Sequence, residues 1–424
     1  MVISLNDVFG VRPKLSEHSY VDRGNLDRSL GYYAASPTHI SIRGESKSGK
    51  SWLRQKKFPN ANIVSCRIDT EISTIYRQIL SNLDISLTVT SSDTYGATLR
   101  FEGSGEAGWK WLAKVTGKFG ADGKYEKSTV QKTVGKDEFD FEFLSDIIKT
   151  SGRRVVIEDF HYLPHKVQHK LAHDLKSFWD YSAFFVVIGV WHVKNFLTDL
   201  NGELAGRIEE VNVDWTVTEL SESLRKGGAA LGIFWGPALT KKLASISYNN
   251  IGILQSLAKI SCFERGIFRA QFPAIELHDE DIADSSAMHY ADQITAVFQS
   301  FSKRTSEGIY SRKKGATQIY AHAMWAILDA DDDTLMKGMP LDEVFVRAHA
   351  RQNRIQKQNL KRVLSKVPEL QADSNGKGVI ISFNESSEHV LLLDRSLLFY
   401  RRFATVKWPW EEMTIHSDFA EDPQ

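Results

Sequence analysis

Residues 44–51 read GESKSGKS, a spacing of glycine, lysine and serine that suits a loop wrapped around a chain of phosphates. A short loop can hold several clustered negative charges only through converging backbone N–H groups, a helix N-terminus and a lysine. Gly44 and Gly49 let the backbone approach, Lys50 would contact the outer phosphates, and the Ser51 hydroxyl would ligate Mg²⁺. Glu45, Ser46, Lys47 and Ser48 complete the loop, and Trp52 follows it. Such a site also needs an acid on a neighbouring strand to hold the cation through water, with another beside it to polarise an attacking water. Glu158 and Asp159, at the end of the run VVIEDF, are the candidates, and the split of metal and base roles between them stays open.

These residues work only if a strand delivers the loop and a helix leaves it. Residues 38–43 (THISIR) alternate as a short strand does, and 51–57 read as the first turns of a helix. A second strand is expected over 62–69, and a helix over 70–83 with its stripe at Ile72, Ile75, Ile79 and Leu83. After an irregular stretch, the pattern predicts a helix at 137–150, a strand at 153–159, a helix at 166–179, an apolar strand at 183–190 and a fifth strand at 208–213. Alternating strands and helices point to a parallel sheet, and uninterrupted apolar strands to one buried on both faces. Residues 84–136 break the order with Gly, Ser, Thr and Lys around Trp109 and Trp111, and read as an insertion of short strands or a mobile arm.

Composition sets the outer limits. A chain of 424 residues exceeds one ordinary core, so two or three domains are expected. Lys plus Arg and Asp plus Glu each total 53, so any nucleic-acid or membrane surface must be local. Cys66 and Cys262 stand far apart without metal-ligand spacing, which argues against disulfides and zinc and fits a reducing compartment. With no leader-like segment and no apolar run of bilayer length, a cytoplasmic protein without membrane contact is expected.

Thr216 and Glu219 form a capping box for a helix, and helical patterns continue to about residue 269. An acidic, irregular stretch over 276–286 is read as a boundary. From about 317 the order is helix, a turn at Gly338-Met339-Pro340, helix, basic helix, and a hairpin of 378–383 with 389–394. Trp408 to Trp410 close the packed chain before a polar tail.

GESKSGKS, VVIEDF, GRIEEVNV, the helical segment after them and the C-terminal helices with a hairpin together resemble the AAA+ and STAND classes of P-loop ATPase. The opening YVDR, residues 20–23, resembles the start of initiator-type and STAND ATPases. The resemblance implies an α/β fold, an ASCE/AAA+ parallel sheet with a helical lid and a C-terminal winged-helix domain, and it implies ATP with Mg²⁺. It divides the chain into an ATPase core over 1–215, a lid over 216–275, a linker and helix over 276–316, a winged helix over 317–412 and a tail over 413–424. AAA+ ATPases often place an arginine before the fifth strand to reach a neighbour's γ-phosphate, which makes Arg207 a candidate finger, although it also reads as a surface arginine at a helix end. His192 stands where a sensor would, and residues 249–252 (NNIG) open a helix that could face the nucleotide. The Glu-Asp order at 158–159 reverses the usual pair, and the 84–136 insertion departs from the minimal pattern.

From 344 to 368 there is no acid, while Arg347, Arg351, Arg354, Lys357, Lys361, Arg362 and Lys366 recur at mostly three- and four-residue spacing, a basic helical face. In a winged helix such a face holds duplex DNA, with Asn353, Gln356, Gln358 and Asn359 adding contacts. The same face also reads as solvated, or as docked on the acidic cluster 329–333. Two functions follow: an oligomerising switch that controls a separate effector protein in bacterial antiviral defence, or a DNA-binding initiator-like or transposition-regulator-like ATPase. The first is preferred, because fold alone does not establish DNA binding.

Overall fold

The structure is a computed structural model that describes residues 2–92, 96–103, 125–126, 129–134, 140–191, 193–307, 318–371, 378–385 and 387–408. It divides into two compact units: one of residues 23–44 and 50–213, the other of 1–22, 45–49 and 214–424.

The first unit is built on five parallel strands, β1 (His39–Arg43), β2 (Asn62–Ser65), β3 (Val155–Glu158), β4 (Phe185–Gly189) and β5 (Ile208–Asn212), in the order β2-β3-β4-β1-β5. Alternate side chains of the apolar strands feed two separate cores. Val155, Ile157 and Val187 face Ile75, Ile147 and Leu175, while Val156, Val186, Ile40 and Ile42 face Leu30 and Leu53. Burial on both faces explains why these strands read as continuous apolar runs. The expectation that the acids lie on a strand neighbouring the loop strand needs correction, because β4 lies between β1 and β3. At about 4.8 Å per strand, that places the two strand ends roughly 10 Å apart, room for a hydrated cation.

Several elements are shorter than their sequence patterns. β2 stops at Ser65 rather than 69, because β3 ends opposite it and the Cys66 N–H makes the last bond, to the Glu158 carbonyl at 2.9 Å. The insertion holds a four-stranded antiparallel sheet of Ile85–Ser92, Gly96–Gly103, Thr129–Val134 and Tyr125–Glu126. Trp109 and Trp111 lie outside the described residues. His39 is fully buried in β1, its Nε2 2.9 Å from the Leu175 carbonyl oxygen and its Nδ1 accepting the Phe185 N–H at 2.9 Å. Arg154 satisfies the chain entering β1, donating to the carbonyls of Tyr33, Ala34, Ser36 and Thr38.

In the second unit, the helix Val217–Leu231 starts with the Thr216–Glu219 capping box, the Glu219 carboxylate accepting the Thr216 N–H at 2.8 Å. Pro237–Ile246 and Ile251–Glu264 follow. Residues 276–286 are not an irregular boundary: Ile275–Leu277 pairs in parallel with Ile233–Trp235, and the helix Asp281–Glu307 starts directly after. Its first-turn acids, Asp281 and Asp284, suit the positive end of a helix.

The remaining helices are Ile319–Leu328, Asp332–Lys337, Leu341–Arg351, Lys357–Gln371 and Ser396–Phe403. They surround a three-stranded antiparallel sheet in the order Met339–Pro340, His389–Leu392, Ile381–Asn384. Met339 and Pro340 are therefore an edge strand and not only a turn, a position that tolerates proline because one side of an edge needs no N–H. Tyr400 stacks on Phe298 at 4.9 Å and meets Trp408 edge-on at 5.1 Å. No helix among the described residues is long and apolar enough to cross a membrane.

Candidate active site

β1 ends at Arg43 and the helix Lys50–Lys57 begins six residues beyond Gly44, so the loop joins strand to helix as its sequence requires. Two of its residues adopt left-handed backbone, Lys47 at φ 60° and Gly49 at φ 88°. A lysine there is strained by roughly 1 kcal/mol or more and persists only if its surroundings fix it.

Three donors do so. The Asn250 side-chain amide bonds the Ser46 carbonyl at 2.8 Å, the Gly252 N–H bonds the Lys47 carbonyl at 3.1 Å, and the Trp215 indole N–H bonds the Ser48 carbonyl at 2.7 Å. In a trans peptide the carbonyl and the following N–H point in opposite directions. Holding these carbonyls therefore aims the N–H groups of Lys47 and Gly49 away from the anchors, the alignment a phosphate cradle uses, while the Ser48 N–H closes a turn onto the Glu45 carbonyl at 3.2 Å. Asn250 also caps the helix Ile251–Glu264, its Oδ1 accepting the Gly252 and Ile253 N–H groups. Gly252 must be glycine: a Cβ would lie 2.5 Å from the Lys47 Cβ. The NNIG segment thus supports the loop backbone, a role its sequence did not disclose.

Lys50 Nζ donates to the Gly44 carbonyl at 2.9 Å, Ser51 is exposed and Trp52 is half-buried. Glu45 is buried against Arg395, and burial raises its carboxyl to about 8 against the opposing pull of that guanidinium. Burial works against the Lys47 charge, but Asp394, 3.4 Å away, together with Tyr290 more than offsets it and holds the ammonium above its ordinary range. Lys47 Nζ also donates to Ser396 Oγ at 3.2 Å, and the Ser46 N–H donates to the Leu393 carbonyl at 3.2 Å.

β3 delivers the acids. Glu158 is its last residue and accepts from Arg54 Nε at 3.1 Å, which ties the acid to the helix Lys50–Lys57. Asp159 follows in left-handed backbone at φ 61° and opens the turn Phe160–Tyr162. Arg54 carried no signal of its own in a lysine-rich helix. Arg207 lies with its guanidinium 4.9 Å from the Trp179 ring centroid and donates to the Glu203 carbonyl. His192 lies outside the described residues.

The basic stretch spans two helices, Leu341–Arg351 and Lys357–Gln371, and much of its charge is answered locally. Arg347 pairs with Glu343 at 2.9 Å and Asp329 at 3.4 Å, Lys357 with Asp342, and Lys361 with Glu388. Arg351 stacks 4.1 Å from the Trp325 ring centroid. Arg354 and Arg362 are exposed.

No protein-family model matches the sequence, and neither does any curated protein. Among solved structures, a Walker-type ATPase of Pyrococcus abyssi is 14% identical, with a TM-score of 0.53 over 93% of this chain and 99% of that one. Cdc6p of Pyrobaculum aerophilum is 11% identical with a TM-score of 0.36 over 94% and 97% of the two chains. A STAND ATPase with a tetratricopeptide-repeat sensor from Pyrococcus horikoshii is 13% identical with a TM-score of 0.37, over 94% of this chain and 44% of that one. The parallel sheet with its helices is the fold carried by the Walker-type ATPase of Pyrococcus abyssi.

Proposed function

We propose that the chain binds ATP with Mg²⁺ at residues 44–51, hydrolyses it, and uses the nucleotide state as a switch. The observation that carries this reading is the anchoring of the Ser46 and Ser48 carbonyls, which pre-sets the Lys47 and Gly49 N–H groups for phosphate before any ligand arrives. Mg²⁺ would supply positive charge to the phosphates, and the hard oxygen donors of Ser51, Glu158 and Asp159 suit that ion. Lys50 leaves the Gly44 carbonyl to meet the outer phosphates. Glu158, oriented by Arg54, and Asp159 share the metal and base roles across the space left by β4. Lys50→Ala should abolish binding of a fluorescent ATP analogue, while Glu158→Gln or Asp159→Asn should retain binding and lose phosphate release. Unchanged hydrolysis in both acid variants refutes the acid assignment.

We read residues 317–412 as a winged helix. The local neutralisation of Arg347, Lys357 and Lys361 favours a switch acting on a protein effector, within a homo-oligomer in bacterial antiviral defence, over the DNA-binding alternative. A salt-sensitive mobility shift with duplex DNA that is weakened by Arg354→Ala and Arg362→Ala would reverse that preference.

A further inference from the structure

The phosphate loop carries two ionisable residues that phosphate binding does not require, Glu45 and Lys47, and both are engaged by one short segment. Lys47 meets Asp394 and Ser396, Glu45 pairs with Arg395, and the Ser46 N–H is taken by the Leu393 carbonyl. The Glu45 and Arg395 side chains are 10% and 14% exposed and Asp394 15%, whereas Lys47 is 33% exposed and so within reach of an incoming ligand. The segment is also placed to transmit a change. It is the link between the strand His389–Leu392, which is central in the three-stranded sheet, and the helix Ser396–Phe403.

We propose that residues 393–396 are a latch on the phosphate loop, which a nucleoside triphosphate opens by competing with Asp394 for the Lys47 ammonium. The inference rests on the proposed nucleotide site and adds its regulation. A triphosphate brings several negative charges next to Lys47 and Glu45, so it offers Lys47 a stronger partner than one carboxylate and repels Asp394 at the same time. Release of Asp394 frees the link, and with it the strand and helix on either side. The coupling is reciprocal: whatever holds the latch closed weakens triphosphate binding by the same factor as the triphosphate weakens the latch.

Asp394→Asn isolates the charge. Asp394 Oδ1 accepts the Ser396 N–H at 2.9 Å, a cap that asparagine keeps, whereas the contact with Lys47 is made by Oδ2. Titration with a non-hydrolysable ATP analogue should show the variant binding about tenfold more tightly than the wild type, within the ordinary range of coupling between sites. Hydrogen exchange in residues 389–403 of the wild type should rise when the analogue is added, and in the variant should already be raised without it. Glu369→Gln, which removes the same charge at an exposed position of the helix Lys357–Gln371, should bind like the wild type and serves as the control. Equal affinity of wild type and Asp394→Asn, or no change of exchange on binding, overturns the latch while leaving the nucleotide site intact. Weaker binding by Asp394→Asn than by the wild type also overturns the latch alone, and failure of both proteins to bind the analogue overturns the site and the latch together.

Discussion

His39 makes β1, the strand that delivers the loop, sensitive to acid. The Nδ1 lone pair accepts the Phe185 N–H, so the proton of the neutral ring sits on Nε2 and is donated to the Leu175 carbonyl. A second proton would have to enter at Nδ1, facing an N–H in a dry interior. Burial accordingly lowers the folded-state value from 6.5 to about 4. The unfolded chain therefore takes up a proton at higher pH than the folded one. The stability contribution is fully present above pH 6.5 and is lost as the pH falls through 4. The difference, 6.5 minus 4, corresponds to about 3 kcal/mol at 1.36 kcal/mol per unit, and roughly 2 kcal/mol of it is lost between pH 7 and pH 5. Hydrogen exchange of the β1 and β4 amides, corrected for intrinsic rates, measures the opening free energy locally without assuming that both units unfold together. His39→Gln cannot titrate, so it should be less stable than the wild type at pH 7, with the gap narrowing by about 2 kcal/mol at pH 5. A gap that stays constant across that range refutes the argument.

Gly252→Ala should displace Lys47 and lower stability by about 1–3 kcal/mol, with weaker nucleotide binding as its specific signature in a titration. Trp215→Phe keeps most of the packing but leaves the Ser48 carbonyl without its indole donor, which should cost about 1–3 kcal/mol and reduce nucleotide affinity rather than turnover at saturation. Arg207→Ala should lower hydrolysis only in an assembly if Arg207 is a finger, so mixing it with wild-type subunits measures sharing; full activity of a dilute monomer counts against that role.

The elements that carry the loop and the Glu158–Asp159 pair were legible because each is a contiguous run: a strand before GESKSGKS and a helix after it, and the three strand residues Val155, Val156 and Ile157 before Glu158. What holds the loop was not. Trp215 meets Ser48 across 167 positions, and Asp394 meets Lys47 across 347, so neither contact leaves a local spacing to read. The order of strands was equally hidden, since five similar apolar runs do not say which of them lies between β1 and β3. Errors at 276–286 and 338–340 had a different cause. Acids that favour a helix start resemble a linker in composition, and an edge-strand proline beside a glycine resembles a turn. The basic face was visible as a pattern, but the acids that answer it, Asp329, Asp342, Glu343 and Glu388, all lie outside the acid-free stretch 344–368.

The three carbonyl anchors also limit how this chain can be dissected. A fragment ending at Val213 would retain every letter of GESKSGKS, its strand and its acid pair, and would lose Trp215, Asn250 and Gly252 together. Lys47 would then be free to relax out of left-handed backbone, and the loop N–H groups would lose their common direction. Trimming the protein to its recognisable motif would thus yield an intact signature in a loop without a shape, and a failed binding assay on such a fragment would speak to the missing scaffold rather than to the motif.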